Sequence, residues 1–275
     1  MADVVLCEIG DDGVAVLTLN RPDRLNAWTY PMQLALFDLL EQCAADERVR
    51  AIVVTGAGRG FCPGADMEDL SALSAPGSNS ATDARAARHD DRPITFATTI
   101  PKPVIAAING ACAGLGLAFA LTCDIRICAA SAKLTTAFSR RGLVAEHGTS
   151  WFLPRLVGPA RALDLLLSGR VVRGTEAAEL GLVNEAAPDE RVLEVALEYA
   201  RDVAANASPA SVATIKRQVY ADLTRPLDEA LNDANRLMVE SFSGSDFTEG
   251  VQSFLERRPP HFAPLDAPRP ERVAN

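Results

Sequence analysis

The chain has 275 residues, of which 48% are hydrophobic and 23% are charged, and its formal net charge is -9. A globular chain of this length buries about three quarters of its unfolded surface, enough for one large domain or for a domain with an appendage. The acidic balance argues against nucleic acid and anionic membranes as partners, because both attract basic surfaces. Any anionic ligand must therefore be held by local basic side chains.

The N-terminal residues do not have the pattern of a targeting signal. They read MADVVLCEIGDDG, which is acidic and lacks the basic-then-apolar order of a secretion signal. The longest uncharged, apolar-rich run, from Ala111 to Cys123, is too short to span a bilayer. We therefore expect a cytoplasmic protein that does not bind membranes.

The cysteines and histidines are scattered along the chain. No two cysteines form a C-x-x-C pair, and their surroundings are apolar, which predicts buried, reduced thiols and neither disulfides nor a zinc site. The six are Cys7, Cys43, Cys62, Cys112, Cys123 and Cys128. His89, His147 and His261 are also dispersed, so no metal site is predicted.

Up to Ala129 the pattern alternates between short apolar runs and helical periodicity. The predicted strands are 14–19, 51–55, 103–108 and 125–129, and the predicted helices are 30–45 and 114–121. This alternation predicts an α/β fold with parallel or mixed sheets, whose ligand sites gather in the loops that follow strands. Between the two halves, residues 71–92 are small, polar and charged, and a mobile loop or irregular helix is expected there.

Beyond about residue 160 the pattern predicts helices alone. They are expected at 160–167, at 175–180 before Gly181, and at four places after Asp189, with Ser208-Pro209 starting one helix and Pro259-Pro260 ending the last. A helical region of this kind covers a core or meets a neighbouring subunit. We therefore divide the chain into a core at 1–195 and a helical region at 196–275.

Two glycine-containing loops are candidates for chemistry. The first, TGAGRGFCPGAD at 55–66, does not fit the dinucleotide motif G-x-G-x-x-G, because Phe61 occupies the third glycine position. The second, INGACAGLGL at 108–117, opens a helix, whose first N–H groups have no intrahelical partner. Since small residues let a ligand oxygen approach, one backbone donor from each loop would stabilise an oxyanion.

Four motifs, in the same order and spacing, resemble those of the enoyl-CoA hydratase/isomerase (crotonase) superfamily over nearly the whole chain. They are LNRP at 19–22 with LNA at 25–27, GFCPGAD at 60–66, KPVIAAING at 102–110, and Cys123-Asp124. The resemblance implies a crotonase-type spiral of strand-strand-helix repeats with a C-terminal all-helical trimerisation region. It further implies a homotrimer or a dimer of trimers, that is, a hexamer.

The resemblance also implies an acyl-CoA substrate, as in fatty acid metabolism, whose thioester oxygen is held by the backbone N–H groups of Ala65 and Leu115. Coenzyme A enters as part of the substrate, so no separate cofactor is expected. The positions matching other ligand-contacting residues are Arg24, Ala27, Arg59, Asp66, Met67, Gly114, Phe138 and Trp151. Arg24 and Arg59, with contributions from Arg257 and Arg258, are the candidates to hold the phosphates, while Asp66 is also expected to fix its loop.

The sequence departs from the superfamily pattern at the two glutamates that activate water in hydratases. Ala118 and Phe138 occupy those positions, and neither side chain accepts a proton. Glu146 resembles the carboxylate position of dienoyl-CoA isomerases and aryl-CoA dehalogenases, so we expect it to be the single acid/base. His147 then either hydrogen-bonds Glu146, carries a second proton or caps the next turn. His89 is expected at the surface, and the alternative is that it reaches the pocket.

The resemblance therefore predicts an enzyme, either a lyase or an isomerase. One carboxylate can move a proton between two carbons, which favours double-bond isomerisation through an enolate. Hydration or hydrolysis with Glu146 and His147 activating water is the first alternative. A non-catalytic protein that binds acyl-CoA is the second.

Overall fold

The computed structural model describes residues 3–73 and 92–265, and within them ten strands form two sheets. The strands are β1 (Val5–Ile9), β2 (Val14–Leu19), β3 (Ala51–Gly56), β4 (Gly60–Cys62), β5 (Val104–Ile108), β6 (Ala111–Ala113), β7 (Ile125–Ala129), β8 (Lys133–Thr135), β9 (Val172–Arg173) and β10 (Glu185–Ala187). The α-helices are α1 (Tyr30–Ala45), α2 (Met67–Leu73), α3 (Leu115–Thr122), α4 (Thr149–Val157), α5 (Pro159–Ser168), α6 (Gly174–Leu180), α7 (Val192–Asn206), α8 (Pro209–Asp222), α9 (Leu227–Phe242) and α10 (Ser245–Glu256).

The larger sheet has the strand order β1-β2-β3-β5-β7-β10. Only the β1–β2 pair is antiparallel, and the other neighbours run parallel. β3 and β5 are buried along their whole length because α7 packs across them. This explains why their sequences, AIVVTG and VIAAI, are continuous apolar runs instead of alternating patterns.

The smaller sheet, in the order β4-β6-β8-β9, was not predicted from the sequence. Each of its strands has two or three residues, too few to establish an alternation of polar and apolar side chains. β4, β6 and β8 pair in parallel. The loops after β4 and β6 therefore leave the sheet on the same side.

Three sequence expectations are corrected by the structure. The expectation of helices alone after residue 160 is wrong, because β9 and β10 add to strands formed earlier in the chain. Cys7 is exposed on the edge strand β1, whereas the other five cysteines are buried, and all six are free thiols. The last helix ends at Glu256, where Arg257 adopts a left-handed conformation before the two prolines.

The predicted division at residues 195 and 196 falls inside α7, which lies on the larger sheet; this boundary stays a prediction. Of the predicted loop at 71–92, the first three residues complete α2 and the stretch 74–91 lies outside the described residues, as does His89. Within the described ranges, none of the helices has the length and apolar character needed to cross a membrane.

Helices α8 to α10 follow the core, and α8 begins at the predicted cap, where Ser208 Oγ accepts the N–H of Ser211 at 3.1 Å. The three helices surround a groove of about 960 Å³ with apolar side chains on its walls. Lys216 of α8 fastens the region to the core: its Nζ donates to the carbonyl oxygens of Ala97 (3.0 Å) and Lys102 (3.1 Å) and to Oδ2 of Asp124 (2.7 Å).

Candidate active site

The loops that carry Ala65 and Leu115 are brought together by the parallel pairing of β4 and β6. Ala65 lies three residues beyond the end of β4, and Leu115 begins α3 two residues after β6. The loops touch, since a Cβ on Gly64 would lie 3.1 Å from the carbonyl oxygen of Ala113, and one on Gly114 would lie 3.8 Å from Cα of Gly64. Both glycines have positive φ, which allows this close approach.

The hydrogen bonds of the neighbouring backbone do not use the N–H groups of Ala65 and Leu115. In the bridge between Trp28 and Ala65, the Trp28 N–H donates to Gly64 O (2.7 Å) and the Asp66 N–H donates to Trp28 O (3.0 Å). The Ala65 N–H takes no part in these two bonds. Leu115 is the first residue of α3, where N–H groups have no intrahelical acceptor and carry the positive end of the helix dipole. Two such donors on adjoining loops are suited to an oxyanion.

Two asparagines fix the turn before β4, a role that sequence reasoning did not assign. Asn26 is fully buried, and its Nδ2 donates to the carbonyl oxygens of Ala57 (3.0 Å) and Gly60 (2.8 Å). Asn109 Nδ2 donates to Gly56 O (2.8 Å) and Gly58 O (3.0 Å). Both asparagines belong to motifs identified in the sequence, Asn26 to LNA and Asn109 to ING, and this membership could have indicated their role.

Asp66 holds the loop that presents Ala65 through two hydrogen bonds. Its carboxylate accepts the N–H of Glu68 at 3.1 Å and the Nη2 of Arg21 at 2.9 Å. These two donors lower the pKa of Asp66 below its ordinary value, so it is ionised near neutral pH. Arg21 also donates to the carbonyl oxygen of Ala27, which ties the LNRP motif to the same loop.

The two positions that the resemblance matches to the hydratase glutamates are apolar and buried. Ala118 lies inside α3, and Phe138 precedes a short 3-10 helix at Ser139–Arg141. The ring of Trp28 packs against that of Phe119, the neighbour of Ala118, with the ring centres 5.6 Å apart and the planes inclined by 43°. These two positions therefore contribute packing and no proton acceptor.

Glu146 lies in the turn that leads into α4. Its carboxylate oxygen Oε2 is 3.8 Å from Nε2 of His147, and one third of each side chain is exposed. Partial burial raises the pKa of Glu146 above the ordinary value of a glutamate. A carboxylate shifted in this direction is suited to taking up and releasing a proton.

The Glu146 turn and the Leu115 loop are connected through packed helices. α3 packs against α4 and against the 3-10 helix Ile94–Thr99. A Cβ on Gly148 would lie 3.5 Å from Cγ2 of Thr95, so the turn also touches this 3-10 helix. Trp151 of α4 stacks under the guanidinium of Arg155, whose Cζ is 4.0 Å from the ring centre.

The candidate phosphate-binding arginines differ in how they are engaged. Arg24 pairs with Glu68 at 3.0 Å, and both side chains are exposed. Arg59 is exposed on the turn before β4. Arg258 is held by Glu249 and Glu256, while Arg257 ends α10. Met67, next to the Ala65 loop, is also exposed.

A metal centre has no obvious place among these residues. Within 3–73 and 92–265, no three His, Cys, Asp or Glu side chains are grouped so that they could hold an ion. Cys62 lies directly before the Ala65 loop, but burial raises the pKa of its thiol to about 12. It is therefore a packed side chain and not a nucleophile at neutral pH.

Comparison with known proteins gives matches over almost the whole chain. The family model for enoyl-CoA hydratase/isomerase matches residues 10–264. A probable enoyl-CoA hydratase of Rhodobacter capsulatus is 41% identical over 252 residues, covering 91% of this chain and 95% of the relative. The 1,2-epoxyphenylacetyl-CoA isomerase of Escherichia coli is 37% identical over 265 residues, covering 95% and 99%.

The solved structures agree with the sequence matches. A probable enoyl-CoA hydratase/isomerase from Mycobacterium abscessus superposes with a TM-score of 0.84 at 34% identity, covering 95% of this chain and 99% of that one. These likenesses confirm the predicted superfamily and the crotonase-type α/β fold with C-terminal helices. The chain belongs to the enoyl-CoA hydratase/isomerase family.

Proposed function

We propose that this protein is an isomerase that shifts a double bond in an acyl-CoA thioester, with Glu146 as its single acid/base. The observation that carries the proposal is the contrast between three positions. Ala118 and Phe138 are buried and apolar, whereas Glu146 is a partly buried carboxylate with a raised pKa. One proton carrier suffices for isomerisation, but activating water by the usual pair of glutamates needs two.

The proposed reaction has two proton transfers. Glu146 removes a proton from the α carbon of a β,γ-unsaturated thioester, and the electron pair moves onto the thioester oxygen as an enolate. The N–H groups of Ala65 and Leu115 hold that oxygen, each contributing roughly 3 to 4 kcal/mol in comparable sites. Protonated Glu146 then returns the proton to the γ carbon, which leaves the α,β-unsaturated product and regenerates the carboxylate.

The remaining side chains act around this centre. Coenzyme A enters as part of the substrate, with its phosphates held by Arg24 and Arg59, and the acyl group lies near Phe138 and Trp151. The imidazole of His147 lies beside this carboxylate, with its Nε2 3.8 Å from Oε2 of Glu146. No separate cofactor takes part in the proposed steps.

Hydration is the second candidate, because several similar proteins are named as hydratases. In that case Glu146 and His147 would activate water together, and hydrolysis of the thioester would use the same pair. The similarity to a relative named as the isomerase of an epoxidised acyl-CoA supports isomerisation as the class of reaction.

Solvent-deuterium exchange tests the proposal. Wild type and Glu146→Gln are incubated in deuterium oxide with a β,γ-unsaturated hexenoyl-CoA, and exposed Glu185→Gln serves as the matched control. We expect Glu146→Gln to lose two to four orders of magnitude in turnover with nearly unchanged binding. The control retains the wild-type rate.

The labelled product separates the alternatives. Formation of the α,β-unsaturated thioester supports isomerisation, with deuterium at its γ carbon to the extent that protonated Glu146 exchanges with solvent before returning the proton, whereas a β-hydroxy product or free acid supports hydration or hydrolysis. Tight binding without turnover, unchanged in Glu146→Gln, would contradict both and favour a non-catalytic binding protein.

We also propose that the chain assembles as a homotrimer or a dimer of trimers through α8 to α10. Large apolar side chains on these helices are exposed in the single chain, including Ile215, Met238, Phe247, Phe254 and Leu255, which line the groove. Exposed apolar surface of this extent is typical of an interface.

Sedimentation equilibrium tests the assembly. Phe254→Asp places a charge in the groove wall and is expected to shift the protein to monomers. Leu167→Asp, at an exposed leucine of α5 outside these three helices, is the control and is expected to keep the assembly. A wild-type monomer at micromolar concentration would contradict the proposal.

A further inference from the structure

Thr149 makes two hydrogen bonds to one backbone oxygen. As the first residue of α4, it donates its N–H (3.0 Å) and its Oγ1 hydroxyl (2.8 Å) to the carbonyl oxygen of Glu146. The side chain is buried, with 1% of its surface exposed. Because a carbonyl oxygen has two acceptor positions, Thr149 occupies both on Glu146.

The two residues between Glu146 and Thr149 have unusual backbone angles. His147 has φ of +54° and Gly148 has φ of +78°, both in the left-handed region. A non-glycine residue is sparsely populated there and stays only when its surroundings hold it. The turn therefore depends on restraints at its ends.

The contacts of the Glu146 carboxylate itself do little to hold it in place. Among residues 3–73 and 92–265, its oxygens accept no hydrogen bond, and the basic group that lies within 4 Å is the imidazole of His147, whose Nε2 is 3.8 Å from Oε2. The position of the carboxylate consequently follows from the backbone of the turn. That backbone is anchored at the Glu146 carbonyl by Thr149.

We infer that Thr149 is a positioning residue, whose hydroxyl holds the Glu146 turn so that the carboxylate reaches the reacting carbons. The inference rests on the proposed role of Glu146 as acid/base. It adds that the rate depends on a buried hydroxyl that touches neither substrate nor carboxylate. A displacement of about 1 Å in a catalytic group can lower a rate by about 100-fold.

Three variants separate the effect of the Thr149 hydroxyl from that of its methyl group. Thr149→Val keeps the shape and removes the hydroxyl, Thr149→Ala removes the hydroxyl and the methyl group, and Thr149→Ser removes the methyl group alone. The isomerisation of the hexenoyl-CoA probe is measured for each against pH. We expect kcat to fall about 10- to 100-fold in the Val and Ala variants, with KM within about twofold. The Ser variant should stay within about threefold of wild type.

The pH profile separates positioning from simple loss of stability. The apparent pKa of the acidic limb should shift in the Val and Ala variants and remain at the wild-type value in the Ser variant. If Val fails to fold, the Ala and Ser pair gives the same comparison. A lowered Tm with unchanged kcat and pH profile would overturn the inference, as would a Ser variant as slow as Ala.

Glu146→Gln is measured alongside to separate the two claims. Full activity in Glu146→Gln overturns the proposed function and this inference with it. An inactive Glu146→Gln together with a fully active Thr149→Val overturns the inference alone.

Discussion

The loops that present Ala65 and Leu115 lie in the interior and pack against each other, whereas the turn that presents Glu146 lies at the surface. Asp66 holds the Ala65 loop through its hydrogen bond to the Glu68 N–H, and Asn26 and Asn109 hold the turn before β4 through hydrogen bonds to backbone carbonyls. The Glu146 turn is anchored by the buried Thr149, and its carboxylate is one third exposed.

This difference distinguishes the part of the site that holds the thioester oxygen from the part that determines which reaction follows. Stabilising a thioester oxyanion needs two backbone donors at fixed positions, and the proposed donors belong to the sheet and helix geometry. The proposed acid/base group is one side chain on a peripheral turn. Replacing it is expected to alter the reaction without disturbing the core, which fits a family whose similar members are named both hydratases and isomerases.

The largest expected effect is on the free energy of unfolding, and it comes from adding a methyl group where the two oxyanion loops pack closely. A Cβ on Gly116 of α3 would lie 2.2 Å from the carbonyl oxygen of Cys62, so Gly116→Ala should lower the free energy of unfolding by more than about 3 kcal/mol. Gly250→Ala is the matched control in α10, where the Cβ would lie 3.8 Å from the Phe262 ring. That variant should be neutral or up to about 1 kcal/mol more stable. Urea unfolding measures both, and equal losses would contradict the comparison.

A smaller effect is expected from pH, because only the ionised form of Glu146 accepts a proton. Since burial raises its pKa, kcat/KM should fall on acidification about tenfold per pH unit, beginning above the ordinary glutamate value of about 4.3. A carboxyl with a raised folded-state pKa favours folding at low pH, and this contribution is lost as the pH rises through that pKa. Glu146→Gln should therefore be at least as stable as wild type at pH 7. A pH-independent rate or a strongly destabilised Glu146→Gln would argue against this assignment.

The smallest effect concerns the exposed pair of Arg24 and Glu68, which lies beside the Ala65 loop. If Arg24 binds a phosphate of coenzyme A, Glu68 competes for it, although an exposed pair is worth only about 0 to 1 kcal/mol. Glu68→Gln should lower KM for an acyl-CoA about two- to fivefold and leave KM for the matching pantetheine thioester unchanged. Asp69→Asn makes the same charge change one residue later and should have no effect. Equal changes for both substrates would show that the phosphates are not involved.

The sequence predicted the longer elements of the fold closely. Helix α1 has enough apolar residues to establish a period, strands β2, β3, β5 and β7 are mostly apolar runs of five or six residues, and the bounds of all five agree within about one residue. The missed strands β4 and β6 contain three residues each, and α4 carries Pro154 in its interior, which disrupts a helical pattern.

The candidate site was less predictable from the residues alone than the fold was. The loops of Ala65 and Leu115 were found from their glycines, but the two residues themselves were identified through the family resemblance. Glu146 was singled out because Ala118 and Phe138 lack a carboxylate. Thr149 was missed, because a bond from a hydroxyl to a backbone carbonyl three residues earlier leaves no signature among the side chains.

The contacts of Lys216 limit how the helical region can be exchanged between relatives. Its ammonium group is the donor for two carbonyl oxygens of the core and the counter-ion of Asp124, and one of those oxygens belongs to Ala97 in the 3-10 helix beside the Glu146 turn. A chimera that ends this chain before Lys216 leaves these acceptors without their cation, and breaking such a buried pair costs about 3 to 5 kcal/mol. A transplanted helical region must therefore bring a positive charge to the same point, or the 3-10 helix beside the turn loses one of its supports.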